Sequence, residues 1–537
     1  MVYRIPPRQG EFVYSGDVYQ ALIPKNHFLR KVDAAIDFSF ANEECRSLYC
    51  PDNGRPTINY PEKMLRAEFL QYYHELSDRE MEERARYDLA FRWFLGLGAM
   101  DEAFEFSALS EFRKRLGPEM HKTLFDRVLD RLKEEGLVTE KEPQNTDSTD
   151  VAAKVAKLGT AGLIHRAATG IVRTVEKASP AGGEIVRKEA FRTKEEEWEP
   201  RERNRDEVEA RRIDLKRAVD VARQSVAAAR TWVESEDGNA LSPEGRGRIT
   251  GAVELAERIL EENVEVKKNE NGEDEACELD EKACDKVVSV VDTDARHGAK
   301  SNTKKFTGYK AHVAVTDQDV ITRVEVTPGN GADGRQLTPI RDGMERDHGL
   351  RPEKMRADSA YGTGENIREM ERRGTMLVAP LANGGRPSGG FPKEQFTMNA
   401  EKGVIVCPAG KESIWSRHRE QLRGTVHEFS LRDCGPCLLK AQCTKARVRA
   451  IFISDYEPAF EAMRTYLKTD DGKRDRKLRS ERERVFEEMK DCHGLRRARY
   501  WGLAKMRIQA YMTAIVVDIK RLVGWLDRLN GAGAKAT

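Results

Sequence analysis

Arg356-Ala357-Asp358-Ser359-Ala360-Tyr361-Gly362 is the stretch whose reading decides the fold. It follows Leu350-Arg351-Pro352 and is led in by Met355, which predicts a buried strand over residues 354–358 with one carboxylate at its exposed tip. An acidic side chain on a rigid strand is a better metal ligand than one on a free loop. Alone, Asp-Ser-Ala-Tyr-Gly suits a turn equally well, so its flanks decide.

Downstream, Glu365 to Arg373 reads as a helix and Thr375 to Ala379 as another strand. Upstream, Val287 to Val291, His312 to Thr316 and Val320 to Val326 have strand character. The last two are joined by Asp317-Gln318-Asp319 as an antiparallel hairpin, and Gln336 to Arg346 is helical. Antiparallel strands followed by helix, strand, helix and strand predict an α/β layer with a mixed sheet over residues 286–383.

Residues 1–140 read as a compact N-terminal helical domain. Pro61 suits a first helical turn, Ser77 with Glu80 forms a capping box, and further helices run from Leu109 to Leu116 and from His121 to Glu134. Such a domain is either of helix-turn-helix type or ordinary helical packing; if it binds DNA, Arg113, Lys114 and Arg115 are phosphate-contact candidates. Residues 141–150 carry Thr146-Asp147-Ser148-Thr149, preceded by residues polar for a central strand. Residues 151–285 read as an all-helical insertion with long mixed-charge runs (Thr193 to Arg212, Ile213 to Trp232) and an acidic loop from Asn269 to Glu281. A Cys-rich insertion occupies residues 384–470, helices fill 471–530, and 531–537 is a frayed tail.

The chain has 537 residues, 39% hydrophobic and 34% charged, with 92 basic against 91 acidic side chains. That balance neither demands nor excludes nucleic acid, but its distribution is uneven: Lys473 to Arg507 holds thirteen Lys/Arg against six Asp/Glu. The N-terminus lacks a signal pattern and no apolar run reaches membrane-spanning length, so a cytoplasmic protein without membrane contact is expected. Nine cysteines, mostly scattered, fit a reducing compartment.

Asp147, Asp358 and Glu483 are the proposed catalytic carboxylates. Phosphodiester transfer can be run by two divalent ions about 3.5–4 Å apart, and Mg²⁺ (or Mn²⁺) needs only a few carboxylates plus substrate phosphate. On a helix, Glu483 shares a side with Phe486, Glu487 and Lys490, and Arg479 lies one turn earlier. Phe486 is the expected buried anchor; Arg479 and Lys490 are placed to reach phosphates beside the scissile bond. Asp292-Thr293-Asp294 rivals Asp147 as first ligand.

Four groups of residues, in chain order, resemble the DDE transposases of bacterial insertion sequences, in the branch with a helical insertion after the first aspartate. They are Asp147-Ser148-Thr149; Gly308-Tyr309-Lys310 with His312; Thr327-Pro328-Gly329-Asn330 with Asp333; and Ala357-Asp358-Ser359-Ala360-Tyr361. Arg479, Glu483 and Lys490, followed by His493-Gly494-Leu495-Arg496-Arg497-Ala498-Arg499-Tyr500-Trp501-Gly502, and the N-terminal Leu76-Ser77-Asp78-Arg79-Glu80 extend the likeness over nearly the whole chain. Arg476 stands where relatives often carry tyrosine. The resemblance implies a ribonuclease H-like mixed-sheet core and a metal triad of Asp147, Asp358 and Glu483. It further implies cleavage at transposon ends with strand transfer into target DNA, and a homodimer on double-stranded DNA bearing terminal inverted repeats. Lys310, Arg296, Arg479, Lys490, Arg496 and Arg497 are the DNA-contact candidates. The rival functions are a ribonuclease H-like metal-dependent nuclease without strand transfer and a catalytically inert, transposase-derived DNA-binding protein; a nucleoid association is expected for any of them.

Cys407, Cys434, Cys437 and Cys443 could form a tetrahedral structural Zn²⁺ site, with His427 able to replace one ligand, or remain four reduced cysteines.

Overall fold

The computed structural model describes residues 13–50, 57–98, 100–192, 208–268, 272, 274–279, 285–300, 303–381, 390–399 and 401–533. Five of the six strands of the central sheet carry the argument: β1 (Gln144–Ala152), β2 (Lys305–Thr316), β3 (Ile321–Pro328), β4 (Lys354–Arg356) and β5 (Met376–Val378). Their order is β3-β2-β1-β4-β5. The strand β2 is antiparallel to β1 and β3, whereas β4 and β5 run parallel to β1. The short strand Arg296–Ala299 pairs with the first residues of β2.

The hairpin forms where the alternation placed it, with Asp319 in the left-handed region (φ 64°) at its turn. β1 overturns the expectation drawn from its polar residues. It is the middle strand, and its buried amides find partners: the Thr322 hydroxyl donates to Gln144 Oε1 at 2.6 Å, and Asn145 Nδ2 donates to Val315 O at 3.2 Å and to Asp317 at 3.0 Å. A polar group can be buried when it is hydrogen-bonded, and here side chains bond across the sheet as well as the backbone.

Val287 to Val291, expected as a strand, joins no sheet and bends at Val290 and Val291. Side chains take its backbone donors, Val287 N giving to Glu262 and Val291 N to Ser289 Oγ. The insertion is not all helical either: Val264–Lys268, just before the expected acidic loop, pairs antiparallel with Asp274–Glu278 inside it. Part of that loop, residues 193–207 of the first mixed-charge run, and residues 534–537 of the tail lie outside the described residues.

Seven helices carry the rest of the argument: α1 (Pro61–Tyr73), α2 (Phe106–Glu134), α3 (Leu337–His348), α4 (Gly364–Arg372), α5 (Asp470–Glu481), α6 (Glu483–Asp491) and α7 (Leu503–Gly533). Pro61 opens α1, and the Ser77–Glu80 capping box is present in full on Asp78–Tyr87. In α2 the two expected helices run together across a kink at Gly117 (φ 66°) followed by Pro118. Arg113 is buried, donating to Asp78 at 2.5 Å and to Gln71 and lying over the Tyr500 ring, so it braces the interior rather than facing phosphate; Lys114 and Arg115 are exposed.

Three buried apolar clusters result. One runs from the N-terminal helices through the sheet to α7, with Phe125 of α2 against Tyr511 of α7. The second fills the insertion, between Thr160–Ala178, Pro180–Ala190, Val208–Glu234 and Pro243–Asn263. The third is small and belongs to the cysteine-bearing segment: Phe396, Ile405, Phe429 and Ile451. No helix among the described residues is long and apolar enough to cross a membrane.

Candidate active site

Sheet register brings the first two carboxylates together. Asn145 of β1 pairs in parallel with Arg356 of β4, and two residues further along each stand Asp147 and Asp358. Neighbouring strands lie about 4.8 Å apart, so the parallel register brings the two segments side by side, and the turn after β4 holds Asp358 there. Asp358 takes the turn its sequence suggested. The strand expected over 354–358 ends at Arg356, so Asp358 stands two residues past it, and its Oδ1 accepts from Ala360 N at 2.9 Å to start a tight turn. Gly362 ends that turn because a β-carbon there would come within 2.1 Å of Pro380 O, just past β5.

Burial raises the Asp147 carboxyl above its ordinary range. The Arg479 guanidinium works against this and the charge of Asp358 adds to it. Arg479 donates to Asp147 Oδ2 at 2.6 Å, and its other terminal nitrogen stands 3.7 Å from Glu483 Oε1. One cation therefore joins a strand-borne and a helix-borne acid. Glu483 is not on the same helix as Arg479: α5 ends and α6 begins across Arg482, which pairs with Asp319 at 3.0 Å. The anchors of α6 are Val485 and Met489, fully buried, while Phe486 is only partly covered; the break at Arg482 turns the helix away from the predicted stripe.

A polar cluster that sequence reasoning used only as a motif backs the acids. His312 faces the Tyr361 hydroxyl (3.4 Å) and Thr327 Oγ1 (3.0 Å). Burial pushes the His312 imidazole down to about 4, with Asp333 opposing and Lys310 assisting, so the ring is neutral near pH 7. Burial, then the charges of Asp333, Asp147 and Asp358, raise the Tyr361 phenol, which is also hydrogen-bonded to Ser148. The sequence signal for this cluster was the motif Gly308-Tyr309-Lys310 with His312, which lies on β2, separated from β4 by β1.

Asp292 and Asp294 have other work. Asp292 is buried, accepting from the Tyr309 hydroxyl and from Gly502 N, and Asp294 accepts from Leu503 N at 2.8 Å. Together they satisfy free backbone donors at the start of α7 and complement its dipole.

The six basic candidates are distributed unevenly. Arg479 lies among the acids, and Lys490 holds Asp150 of β1 at 2.8 Å. Arg496 and Arg497 are exposed on a segment that bridges to Ala152 at the end of β1. Lys310 is held by Asp333 (2.8 Å) and Gly331 O. Arg296 is 7% exposed, its guanidinium bonded to Asp285 and to the carbonyls of Thr293 and Ala295, so its charge points inward.

Cys407, Cys434, Cys437 and Cys443 line a single small cleft; His427 is not among its lining residues. Burial raises the Cys443 thiol, Arg449 opposes, and the other three cysteines add to the rise. Among the described residues no group of three or more His, Cys, Asp or Glu side chains stands arranged to hold a metal ion.

Two family models match the chain. Residues 17–115 match one described as Transposase domain (DUF772), and residues 406–523 match one described as Transposase DDE domain. The second match contains Glu483 and all four clustered cysteines, and the first contains α1 and the start of α2. No curated protein and no solved structure matches the chain.

Proposed function

We propose that this chain, a DDE transposase of insertion-sequence type by its two matched domains, cuts DNA at the ends of its own element and joins the freed 3′-hydroxyl to target DNA. Asp147, Asp358 and Glu483 are its catalytic carboxylates. The observation that carries this reading is the Arg479 bridge between Asp147 and Glu483, beside an Asp147–Asp358 pair set by strand register. The order β3-β2-β1-β4-β5, in which β2 alone runs against the other four strands, supports a ribonuclease H-like core.

The residues suit a divalent cation. The acids are hard oxygen donors, burial and the charge of Asp358 raise the cost of ionising Asp147, and a guanidinium already serves as counter-charge between Asp147 and Glu483. Mg²⁺ or Mn²⁺ bound there would activate water or a 3′-hydroxyl and stabilise the departing oxygen.

The chain's own groups supply the rest. Arg479, freed from Asp147, is within reach of a phosphate beside the scissile bond, and its planar fork suits two phosphate oxygens. Lys490, Arg496 and Arg497 hold the backbone on the side where β1 ends, positioning DNA without reading its sequence. Neutral His312 and the unionised Tyr361 fix the floor under Asp358 and Ser148 without adding charge. Two element ends must be cut and joined, which calls for two active sites and hence a dimer on DNA.

The test uses the inverted repeat flanking the element, labelled on either strand, with Mg²⁺ or Mn²⁺, and a second reaction with pre-cut ends and a plasmid target. Nicking at the element end and joined product are expected. Nicking without joining would reduce the function to that of a nuclease; binding of the repeat with neither product would sink the catalytic reading.

A further inference from the structure

The segment from Phe391 to Ser454 is poorly provided with core. Its buried apolar cluster consists of four side chains, Phe396, Ile405, Phe429 and Ile451, and the strand Trp415–Arg419 is exposed along its whole length. A unit of that size usually needs a covalent or metal staple to hold its shape. Its paired strands, Thr397–Asn399 with Val404–Val406 and the three-stranded sheet ending at Ala450–Ser454, are short and lie to either side of one cleft-forming stretch.

Four thiols converge on that cleft, each placed by a tight local turn. Cys407 closes one with Gly410 N donating to its carbonyl (2.8 Å) and its own amide giving to Lys411 O. Cys434 ends the short helix Leu431–Cys434, Cys443 ends Lys440–Cys443, and Cys437 lies between them, its carbonyl accepting from Lys440 N. Turns of this kind present sulfur atoms outward from a fixed backbone, as tetrahedral thiolate sites require.

The surroundings are cationic. Lys411, Lys440 and Arg449 line the same cleft with one carboxylate, Asp433, which stands 3.7 Å from Lys411 and leaves the cations in excess. Arg449 is only 7% exposed, two of its nitrogens bond to Cys443 O and Phe391 O, and its Nε is buried without a partner. Four thiolates around a divalent ion carry a net charge of −2, which a dry apolar pocket would reject and three adjacent cations would balance.

From these observations we infer that Cys407, Cys434, Cys437 and Cys443 bind one structural Zn²⁺ that staples the Phe391–Ser454 segment, with Arg449 Nε donating to a thiolate. The sulfurs line a common cleft without surrounding one point, so binding draws the Cys407 turn toward the Cys434–Cys443 stretch. Zinc suits the donor set because thiolates are soft ligands and Zn²⁺ imposes no geometry beyond a tetrahedron. The inference is independent of the catalytic carboxylates.

The full chain is purified without chelator, and its metal content is measured by mass spectrometry beside a Cys434→Ser/Cys437→Ser variant. Wild-type protein is then stripped and refilled with Co²⁺. About one zinc per chain, lost in the variant, and a thiolate-to-cobalt charge-transfer band with tetrahedral ligand-field absorption are expected. His427→Ala should keep the metal. Wild-type zinc no higher than in the variant, a cobalt spectrum without thiolate bands, or a disulfide between any two of the four cysteines would overturn the assignment. Because the readout is metal content and spectrum, a chain inactive on DNA can still bear it out, and an active one can still refute it.

Discussion

Arg479 and Asp147, 332 positions apart in sequence, meet at 2.6 Å across the end of α5 and the middle of β1. The contact ties the C-terminal helices to the central strand and places a cation among acids. Both partners are about one-quarter exposed, so solvent and ions reach the pair and it can open. An ion pair of this kind is modest in stability and is better understood as a charge held ready for substrate.

Replacing the acids tests the site directly. Asp147→Asn, Asp358→Asn and Glu483→Gln should each lower metal-dependent cleavage of the inverted repeat by on the order of 10²–10³-fold. Repeat binding by gel shift should stay within a few-fold of wild type. Full cleavage by the Asp147 variant would remove it from the site.

The caps of α7 make the complementary prediction. Asp294→Ala should cost about 1 kcal/mol by freeing Leu503 N, lowering Tm by about 1 °C in a chain of this size, while cleavage survives. Loss of cleavage in a variant with a near-normal melting curve would mean that Asp294 belongs to the chemistry after all.

His312 predicts a pH effect with a definite sign. Its pKa is about 4 in the folded chain against an ordinary value of 6.5, so the unfolded chain binds the extra proton between these limits. The stability contributed by the neutral ring is complete above pH 6.5 and is lost as pH falls toward 4, up to about 3 kcal/mol in all. Urea midpoints at pH 7 and pH 5 should differ less for His312→Gln than for wild type. Equal differences in the two proteins would show that another group dominates the acid limb.

Inside and outside cations of the N-terminal helices should separate cleanly. Arg113→Ala leaves Glu68 and Asp78 without their partner in the interior and should destabilise by about 3–5 kcal/mol, read as a shifted urea midpoint. Lys114→Ala should leave that midpoint within about 0.5 kcal/mol and instead reduce the salt dependence of DNA binding by one phosphate contact. An unchanged salt slope would take Lys114 off the DNA.

Local signals in the sequence carried well where local chemistry decides: Pro61, the Ser77–Glu80 box, the β2–β3 hairpin and the alternation of α3, β4, α4 and β5 all stand where their residues put them. What escaped depends on distant partners. Gln144, Asn145 and Thr146 look too wet for a central strand until Thr322, Asp317 and Arg356 are known to reach that strand. The helix break at Arg482 depends on Asp319, and the inward turn of Arg113 on Glu68, Asp78 and Tyr500. In the candidate site, the pairing of Asp147 with Asp358 rests on a parallel register that neither strand reveals by itself.

The placement of β1 also bears on how the chain is made. This middle strand leaves the ribosome about 150 residues before β2, its first partner, and further still before β4. At 5–20 residues per second that is a wait of about 8–30 s with a long edge unpaired. The insertion has its own buried cluster and can condense during that interval, bringing Ala152 and Lys305 closer than an uncoiled tether would. The N-terminal helices must wait longer, since α7 completes their interior and is translated after the whole sheet. A truncated nascent product would therefore lack both a finished sheet and a finished N-terminal body, and only full-length chains would become competent to hold DNA beside Asp147 and Glu483.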